Sequence, residues 1–174
     1  MIDPTQEALY ITSAEEVVWG TILVALTLII HAMGMILTQH FSSVFKHRVG
    51  QRAEQRLPFL SGIGPLILAS WMIMTVHSLE VVMWALFFQW KHCFPNYSTA
   101  VYFSFLEYTT VGSAFNLPLK WRLLEGIIAT AGLLAFAWST GVLLTQATAF
   151  QEQQLRRLNE RRERLNQKGG AGKA

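Results

Sequence analysis

Residues 98–112 read STAVYFSFLEYTTVG and lie between two longer apolar segments, residues 66–88 and 123–148. The aromatic stretch is too short and too polar to cross a bilayer core of about 30 Å as a helix. Each flanking segment is long enough to do so. Backbone that is not helical is tolerated at membrane depth only where protein buries it or water reaches it. The stretch is therefore predicted to be a re-entrant or interfacial segment between two transmembrane helices.

A third apolar segment, residues 17–38 (VVWGTILVALTLIIHAMGMILT), precedes this pair and has the length of a further span. The chain is 52% hydrophobic and 14% charged, whereas soluble domains carry about a quarter charged residues. Its first residues lack the basic region of a cleavable signal peptide, so the first span is expected to remain in the mature protein. These features predict an all-α membrane protein with three transmembrane helices.

The distribution of basic residues predicts the orientation in the bilayer. The connection between the first two spans holds Lys46, Arg48, Arg52 and Arg56. A second basic cluster lies in the tail: Arg156, Arg157, Arg161, Arg162, Arg164 and Lys168. Basic loops stay in the cytoplasm, and three spans put both clusters on that side. The N-terminus is then outside and the C-terminus cytoplasmic. An outward interfacial belt is expected from four tryptophans: Trp19, Trp84, Trp90 and Trp121.

Several classes of function lack support in the sequence. The single cysteine, Cys93, excludes an intrachain disulfide and a cysteine metal cluster. No nucleophile–base pair is spaced for hydrolysis, so the protein is not expected to be an enzyme. The net charge of +3 reports membrane topology and not nucleic acid binding. No cofactor is expected.

The segment that follows the aromatic stretch carries the functional prediction. Thr109-Thr110-Val111-Gly112 precede a polar turn, Asn116-Leu117-Pro118. A short helix can enter the membrane here, and an extended strand can return from it. Such a strand directs backbone carbonyls toward a shared axis, where they replace the hydration shell of a cation. One chain supplies one wall of such a pore, so the mechanism requires a ring of copies.

Residues 66–148 resemble the pore module of the potassium-channel superfamily, particularly its small bacterial members. The resemblance rests on the Thr109–Gly112 motif, on Trp121-Arg122-Leu123-Leu124-Glu125 and on the inner-helix residues Gly132 and Ala135–Thr140. His77-Ser78-Leu79-Glu80 with Trp84 is similar to the outer helix of those proteins. The resemblance implies a homotetramer in the bacterial inner membrane that conducts K⁺ or Na⁺ passively. It divides the chain into three parts: a peripheral helix with a basic loop (1–58), the pore module (59–148) and a charged helix with a flexible tail (149–174).

The filter departs from the family pattern T-V-G-Y-G-D, since the chain reads T-V-G-S-A-F from Thr110 to Phe115. Ala114 replaces a glycine, and alanine is disfavoured in the left-handed backbone that glycine adopts freely. We expect the carbonyl sites for a monovalent cation at Thr110 and Val111 to survive. The outer half should widen, which predicts weak selectivity between K⁺ and Na⁺. The predicted ion-binding residues are Thr110, Val111, Gly112, Ser113 and Ala114.

Three residues are predicted to support the filter: Glu107, Thr109 and Phe115. Glu107 either braces the loop or supplies charge in place of the missing acid. In the inner helix, the resemblance puts Gly132 at a hinge position, although a glycine there also permits close helix packing. Helical spacing puts four residues on one stripe: Phe136, Thr140, Leu144 and Thr148. The resemblance implies that this stripe lines the cavity and the cytoplasmic gate.

His77 and Glu80 lie near the middle of the second span and share one helical face. A carboxylate there costs about 2.5–3.5 kcal/mol on insertion scales, so it should be paired or protonated. Mutual pairing, with contacts to the pore helix or the first span, is the expected structural role. A pH-sensitive element or an ion site is the functional alternative.

Other functions remain open at this stage. A potassium-selective channel and a non-conducting regulatory relative are alternatives within the same fold. A membrane redox protein is the remote alternative, with His31 and His77 as axial haem ligands. No voltage-sensing or ligand-binding segment is expected, because no span carries a series of arginines. The charged tail is predicted to extend the third span as a solvated helix, and a four-stranded bundle is its alternative.

Overall fold

The computed structural model describes residues 11–53 and 58–171. Within these ranges every long element is helical: α1 (Ala14–Ala53), α2 (Pro58–Trp90), the short α3 (Tyr97–Tyr108) and α4 (Leu123–Ala171), with a 3₁₀ turn at Leu119–Trp121. Three segments are long and apolar enough to cross a membrane: Ala14–Lys46, Ile63–Trp90 and Leu119–Asn166. The three predicted spans are therefore confirmed, and their length and composition indicate a multi-pass membrane protein.

The charged tail continues α4 without a break, and most of its residues up to Asn166 are exposed. The prediction that the tail extends the third span as a helix is confirmed. Among the basic residues used to predict orientation, Arg56 lies outside the described residues, and for Arg52 and Lys168 only the backbone is described.

The chain forms two compact units, of which the first comprises Met1–Leu37 and Met72–Ser139. Its core contains fully buried Trp84, Phe88 and Phe103. Phe88 packs edge-on to Phe103, with ring centroids 5.5 Å apart. The indole N–H of Trp84 donates to Thr27 Oγ1 at 3.0 Å. Trp84 is thus a core residue, and its expected place in an interfacial belt is wrong, because this hydrogen bond satisfies the indole inside the protein.

At one end of this unit, buried Glu16 joins the starts of α1 and α4. Ser13 is the N-cap of α1 and accepts from the Glu16 N–H at 3.1 Å. The Glu16 carboxylate accepts from the N–H of Leu123, the first residue of α4, at 2.5 Å. A carboxylate is favourable at this position because the N-terminus of a helix carries partial positive charge.

Lys91 and Lys120 join the same end of the unit. Glu15 lies 2.6 Å from Lys120 Nζ and 3.5 Å from Lys91 Nζ. The Lys91 ammonium also lies 4.7 Å from the ring centroid of Trp19 and 4.3 Å from that of Trp90. The end of α2 and the starts of α1 and α4 therefore meet in one ionic and aromatic cluster.

The second unit comprises Thr38–Trp71 and Thr140–Ala174. Pro65 lies inside α2, and its carbonyl accepts from Ser42 Oγ at 3.4 Å. A Cβ added to Gly64 would lie 3.0 Å from the ring of Phe45. Close approach of α1 and α2 in this unit therefore depends on a small residue.

Candidate functional site

Helix α3 begins at the end where α2 finishes and penetrates the unit. Its N-cap is Asn96, whose Oδ1 accepts from the Thr99 N–H at 2.8 Å. At its other end, Tyr108 donates a short hydrogen bond to Glu80 Oε2. Glu80 lies about 15 Å along α2 from Trp90, at 1.5 Å per residue. The end of α3 is therefore level with a point about a third of the way along α2 from Trp90.

A contact with the inner helix α4 gives a similar depth for the end of α3. A Cβ added to Gly132 would lie 1.9 Å from the carbonyl oxygen of Tyr108. Gly132 lies about 13 Å along α4 from Leu123. The segment after α3 then returns, because the Leu117 N–H donates to Glu125 Oε1 at 2.6 Å, close to the start of α4.

Gly132 is buried against α3, which corresponds to the close-packing interpretation. The other members of the predicted cavity stripe are exposed in the single chain: Phe136, Thr140, Leu144 and Thr148. Gly132 therefore packs against α3, whereas these four residues lie on an exposed face of α4 in the single chain.

Residues after α3 form a capping turn. The Thr110 N–H donates to the Glu107 carbonyl at 2.9 Å, and the Val111 N–H donates to the Leu106 carbonyl at 3.0 Å. This is the hydrogen-bond pattern of a Schellman cap. Thr110 has φ 60° and Gly112 has φ 80°. The extended strand expected from Thr110 to Gly112 is therefore wrong, because the N–H groups there satisfy the free carbonyls at the end of α3.

The cap places a β-branched residue where glycine is usual. A threonine in the left-handed region costs about 1–3 kcal/mol and persists only where its surroundings impose it. Left-handed backbone in this segment occurs at Thr110 and Gly112, and not at Ala114, where the family pattern has a glycine.

Glu107 braces the loop that follows the cap. Its Oε1 accepts from the Ser113 N–H at 2.8 Å, and Ser113 Oγ accepts from the Phe115 N–H at 3.0 Å. The Phe115 ring lies edge-on to Tyr102 with centroids 6.3 Å apart. The hydrogen bond between the Ser113 N–H and Glu107 matches the bracing role considered for Glu107. The loop surface is otherwise open in one chain, since Val111 is 71% exposed.

Five polar side chains from all four helices converge beneath the cap. Glu80 Oε1 lies 3.0 Å from His31 Nδ1, and Glu80 Oε2 lies 3.4 Å from His77 Nδ1. The Tyr108 hydroxyl lies 2.9 Å from His77 Nδ1. Ser139 Oγ lies 3.0 Å from His77 Nε2 and 3.2 Å from His31 Nε2. The expected pairing of His77 with Glu80 is present, with contacts to both the short helix and the first span.

Sequence reasoning missed Tyr108 and Ser139 as members of this cluster. Ser139 lies seven residues after Gly132, hence on the same face of α4. Tyr108 immediately precedes the Thr109–Gly112 motif. These positions predict that Tyr108 and Ser139 belong to the cluster only when the packing of Gly132 against α3 is known.

The cluster also bears on cofactors. The donor atoms of His31, His77 and Glu80 all lie within 4.8 Å of one another, so these residues could hold a metal ion. A haem between the two histidines is disfavoured, because the two imidazoles contact each other too closely for a porphyrin and its iron to lie between them. Their ring centroids are only 5.3 Å apart.

Comparisons with known proteins add no assignment. No protein-family model, no curated protein and no solved structure matches the chain.

Proposed function

We propose that the chain is one subunit of a homotetrameric channel that conducts monovalent cations passively across the bacterial inner membrane. The observation that carries this proposal is the path of α3 and its return. The helix ends level with Glu80 of α2 and Gly132 of α4, which lie inside the two spans, and the chain returns to Glu125 near the start of α4. A short helix and loop between two spans are the elements of a pore-loop channel.

Electrostatics supports a cation as the permeant species. The C-terminal end of α3 carries partial negative charge, because the peptide dipoles of a helix are aligned along its axis. The predicted filter, Thr110–Ala114, starts directly at that end. The surface of this segment is exposed in a single chain. Three further copies arranged around a central axis would cover it. Four backbone segments would then surround the ion.

The capping turn also favours a second candidate, a non-conducting relative with a collapsed filter. Leu106 O accepts from both the Val111 N–H and the Gly112 N–H, at 3.0 and 3.3 Å. For successive carbonyls of this segment to line an axis, Val111 and Gly112 would have to break their hydrogen bonds to Leu106 and leave the turn. Assembly would have to supply the energy for that change.

Bi-ionic recording of the purified chain in liposomes or planar bilayers tests the proposal. We expect K⁺ and Na⁺ currents with similar permeabilities, because the altered residues 113–115 leave fewer carbonyl sites in a row. The triple substitution S113Y/A114G/F115D is expected to raise the K⁺/Na⁺ permeability ratio, and Gln151→Ala in the exposed tail is expected to leave it unchanged. High K⁺ selectivity of the unmodified chain would favour the potassium-selective alternative. Absence of flux for either ion would leave the non-conducting candidate.

Labelling of Cys93 tests the proposed orientation, with the loop after α2 outside. Burial raises the pKa of this thiol to about 11, so its thiolate fraction near pH 8 is about a hundredfold below that of a thiol with a pKa near 9. An impermeant maleimide added outside intact cells should therefore react slowly at pH 8. The rate should rise about tenfold per pH unit up to about pH 10, because the thiolate is the nucleophile. If Cys93 were labelled only after the cells are opened, the orientation would be opposite to the proposed one.

A further inference from the structure

The buried cluster beneath the cap has the composition and spacing of a metal site. We propose that His31, His77, Glu80 and Tyr108 bind one divalent transition-metal ion of the Zn²⁺ class, through two imidazole Nδ1 atoms, the carboxylate and the phenol oxygen. This assignment uses only residues of the first unit. It does not depend on whether the chain conducts ions.

The spacing of the donor atoms fits tetrahedral coordination. Ligand bonds to zinc of about 2.0–2.1 Å place neighbouring donor atoms about 3.3 Å apart. The separations are 3.0 Å for His31 Nδ1 to Glu80 Oε1, 3.4 Å for His77 Nδ1 to Glu80 Oε2 and 2.9 Å for His77 Nδ1 to Tyr108 Oη. The donor atoms of His31, His77 and Glu80 all lie within 4.8 Å of one another, and Tyr108 would move away from its short contact with Glu80 as the ion enters.

The hydrogen atoms around Ser139 show which imidazole nitrogens carry lone pairs. The Ser139 hydroxyl donates to the Ala135 carbonyl at 3.0 Å. A hydroxyl has one hydrogen, so its contacts with His31 Nε2 and His77 Nε2 then require N–H donors on both rings. When both rings are neutral, this leaves the lone pairs on the two Nδ1 atoms, and both of these atoms lie close to Glu80. Metal-bound histidines in proteins almost always donate their other ring N–H in this way.

The convergence of acceptors calls for a cation. The Tyr108 hydroxyl has one hydrogen, which it donates to Glu80. The contacts of His31 with Glu80 and of His77 with Tyr108 then join two acceptors each. Glu80 and His31 are completely buried, and a buried carboxylate is costly unless it is paired or coordinates a metal. The polar partners of Glu80 are His31, His77 and Tyr108, and α4 contributes the uncharged Ser139. One metal ion satisfies these lone pairs at once, and the Tyr108 hydroxyl releases its proton to the solvent as its oxygen binds.

Such an ion would connect three helices at the turn before Thr109. Its ligands come from α1 (His31), α2 (His77 and Glu80) and α3 (Tyr108), and Ser139 of α4 orients both imidazoles. The expected role is structural, because the four protein donors leave no open position for a substrate.

Elemental analysis of the full chain, purified in detergent from cells grown with Zn²⁺, tests the site. We expect about one zinc ion per chain, because a complete ligand set supports a closed structural site. The substitution His31→Gln should reduce the content at least tenfold. Ser139→Ala should weaken the affinity about 10–100-fold, as loss of a group that orients a ligand does. His92→Gln, at an exposed histidine outside the cluster, should retain the ion.

A second measurement uses the unmodified chain, in case His31→Gln does not fold. Chelator-treated protein receives Co²⁺, and the visible ligand-field bands of tetrahedral Co²⁺ should appear with one equivalent per chain. Zn²⁺ should then displace them and raise the melting temperature. Background metal content together with no Co²⁺ bands would overturn the assignment and indicate that protons alone neutralise the cluster. Equal loss of zinc in His92→Gln would also overturn it, since the ion would then be a surface contaminant.

Discussion

Gly132→Ala is expected to cause the largest loss of stability among single-methyl additions to this chain. The added Cβ would lie 1.9 Å from the Tyr108 carbonyl oxygen and 2.9 Å from its carbon. Both atoms belong to the backbone, so no side-chain rotation relieves the clash, and α3 or α4 must move. Overpacking of a tight site typically costs about 1–3 kcal/mol, and a backbone clash should reach the upper end of that range. Thermal unfolding followed by tryptophan fluorescence in detergent measures the change.

Gly126→Ala and Gly141→Ala are the matched controls for Gly132→Ala. A Cβ at either position meets nothing within 4 Å in the single chain. Alanine is favoured over glycine in a helix by about 1 kcal/mol, so both controls should be neutral or stabilising. A melting temperature of Gly132→Ala equal to that of the unmodified chain would contradict the close contact of α3 with α4. A loss of oligomers in a control variant alone would place that glycine at a subunit interface.

Glu80→Ala is expected to destabilise the folded protein by about 3–5 kcal/mol, the usual cost of breaking a buried ion pair by removing one partner. The carboxylate is completely buried and contacts His31, His77 and Tyr108. Its removal leaves these three side chains without a common partner in an apolar interior. Glu80→Gln should cost less, because an amide oxygen still accepts from Tyr108.

Urea unfolding in mild detergent, followed by tryptophan fluorescence, compares these variants. Glu152→Ala, an exposed glutamate in the tail, provides the control and is expected to change stability by less than about 0.5 kcal/mol. If Glu80→Ala unfolded at the same urea concentration as Glu152→Ala, the cluster would contribute nothing to stability. The outcome is independent of metal content, since both an ion and a hydrogen-bonded cluster require the carboxylate.

Local sequence patterns were sufficient for the helices and for the membrane class. The three spans follow from the length of the uncharged runs, because a helix must cover the apolar core and satisfy its own backbone groups. The short α3 follows from an aromatic segment that is too short to span. The pairing of His77 and Glu80 also follows from local spacing, since residues three apart share a helical face.

Contacts between distant parts of the chain could not be predicted in this way. His31 meets Glu80 across 49 positions and Ser139 across 108 positions, and hydropathy treats each span by itself. The same limit explains why Trp84 was expected in an interfacial belt although it hydrogen-bonds Thr27.

The sequence by itself determined which segments are helical and long enough to cross a membrane. Helix formation there depends on apolar length and on neighbours three or four residues away. Only the tertiary structure decided that Gly132 accommodates the end of α3, that Thr110 closes a helix cap, and that five polar side chains converge at Glu80. Those features depend on the rotation and depth at which helices pack against one another, and many distant side chains set that packing together.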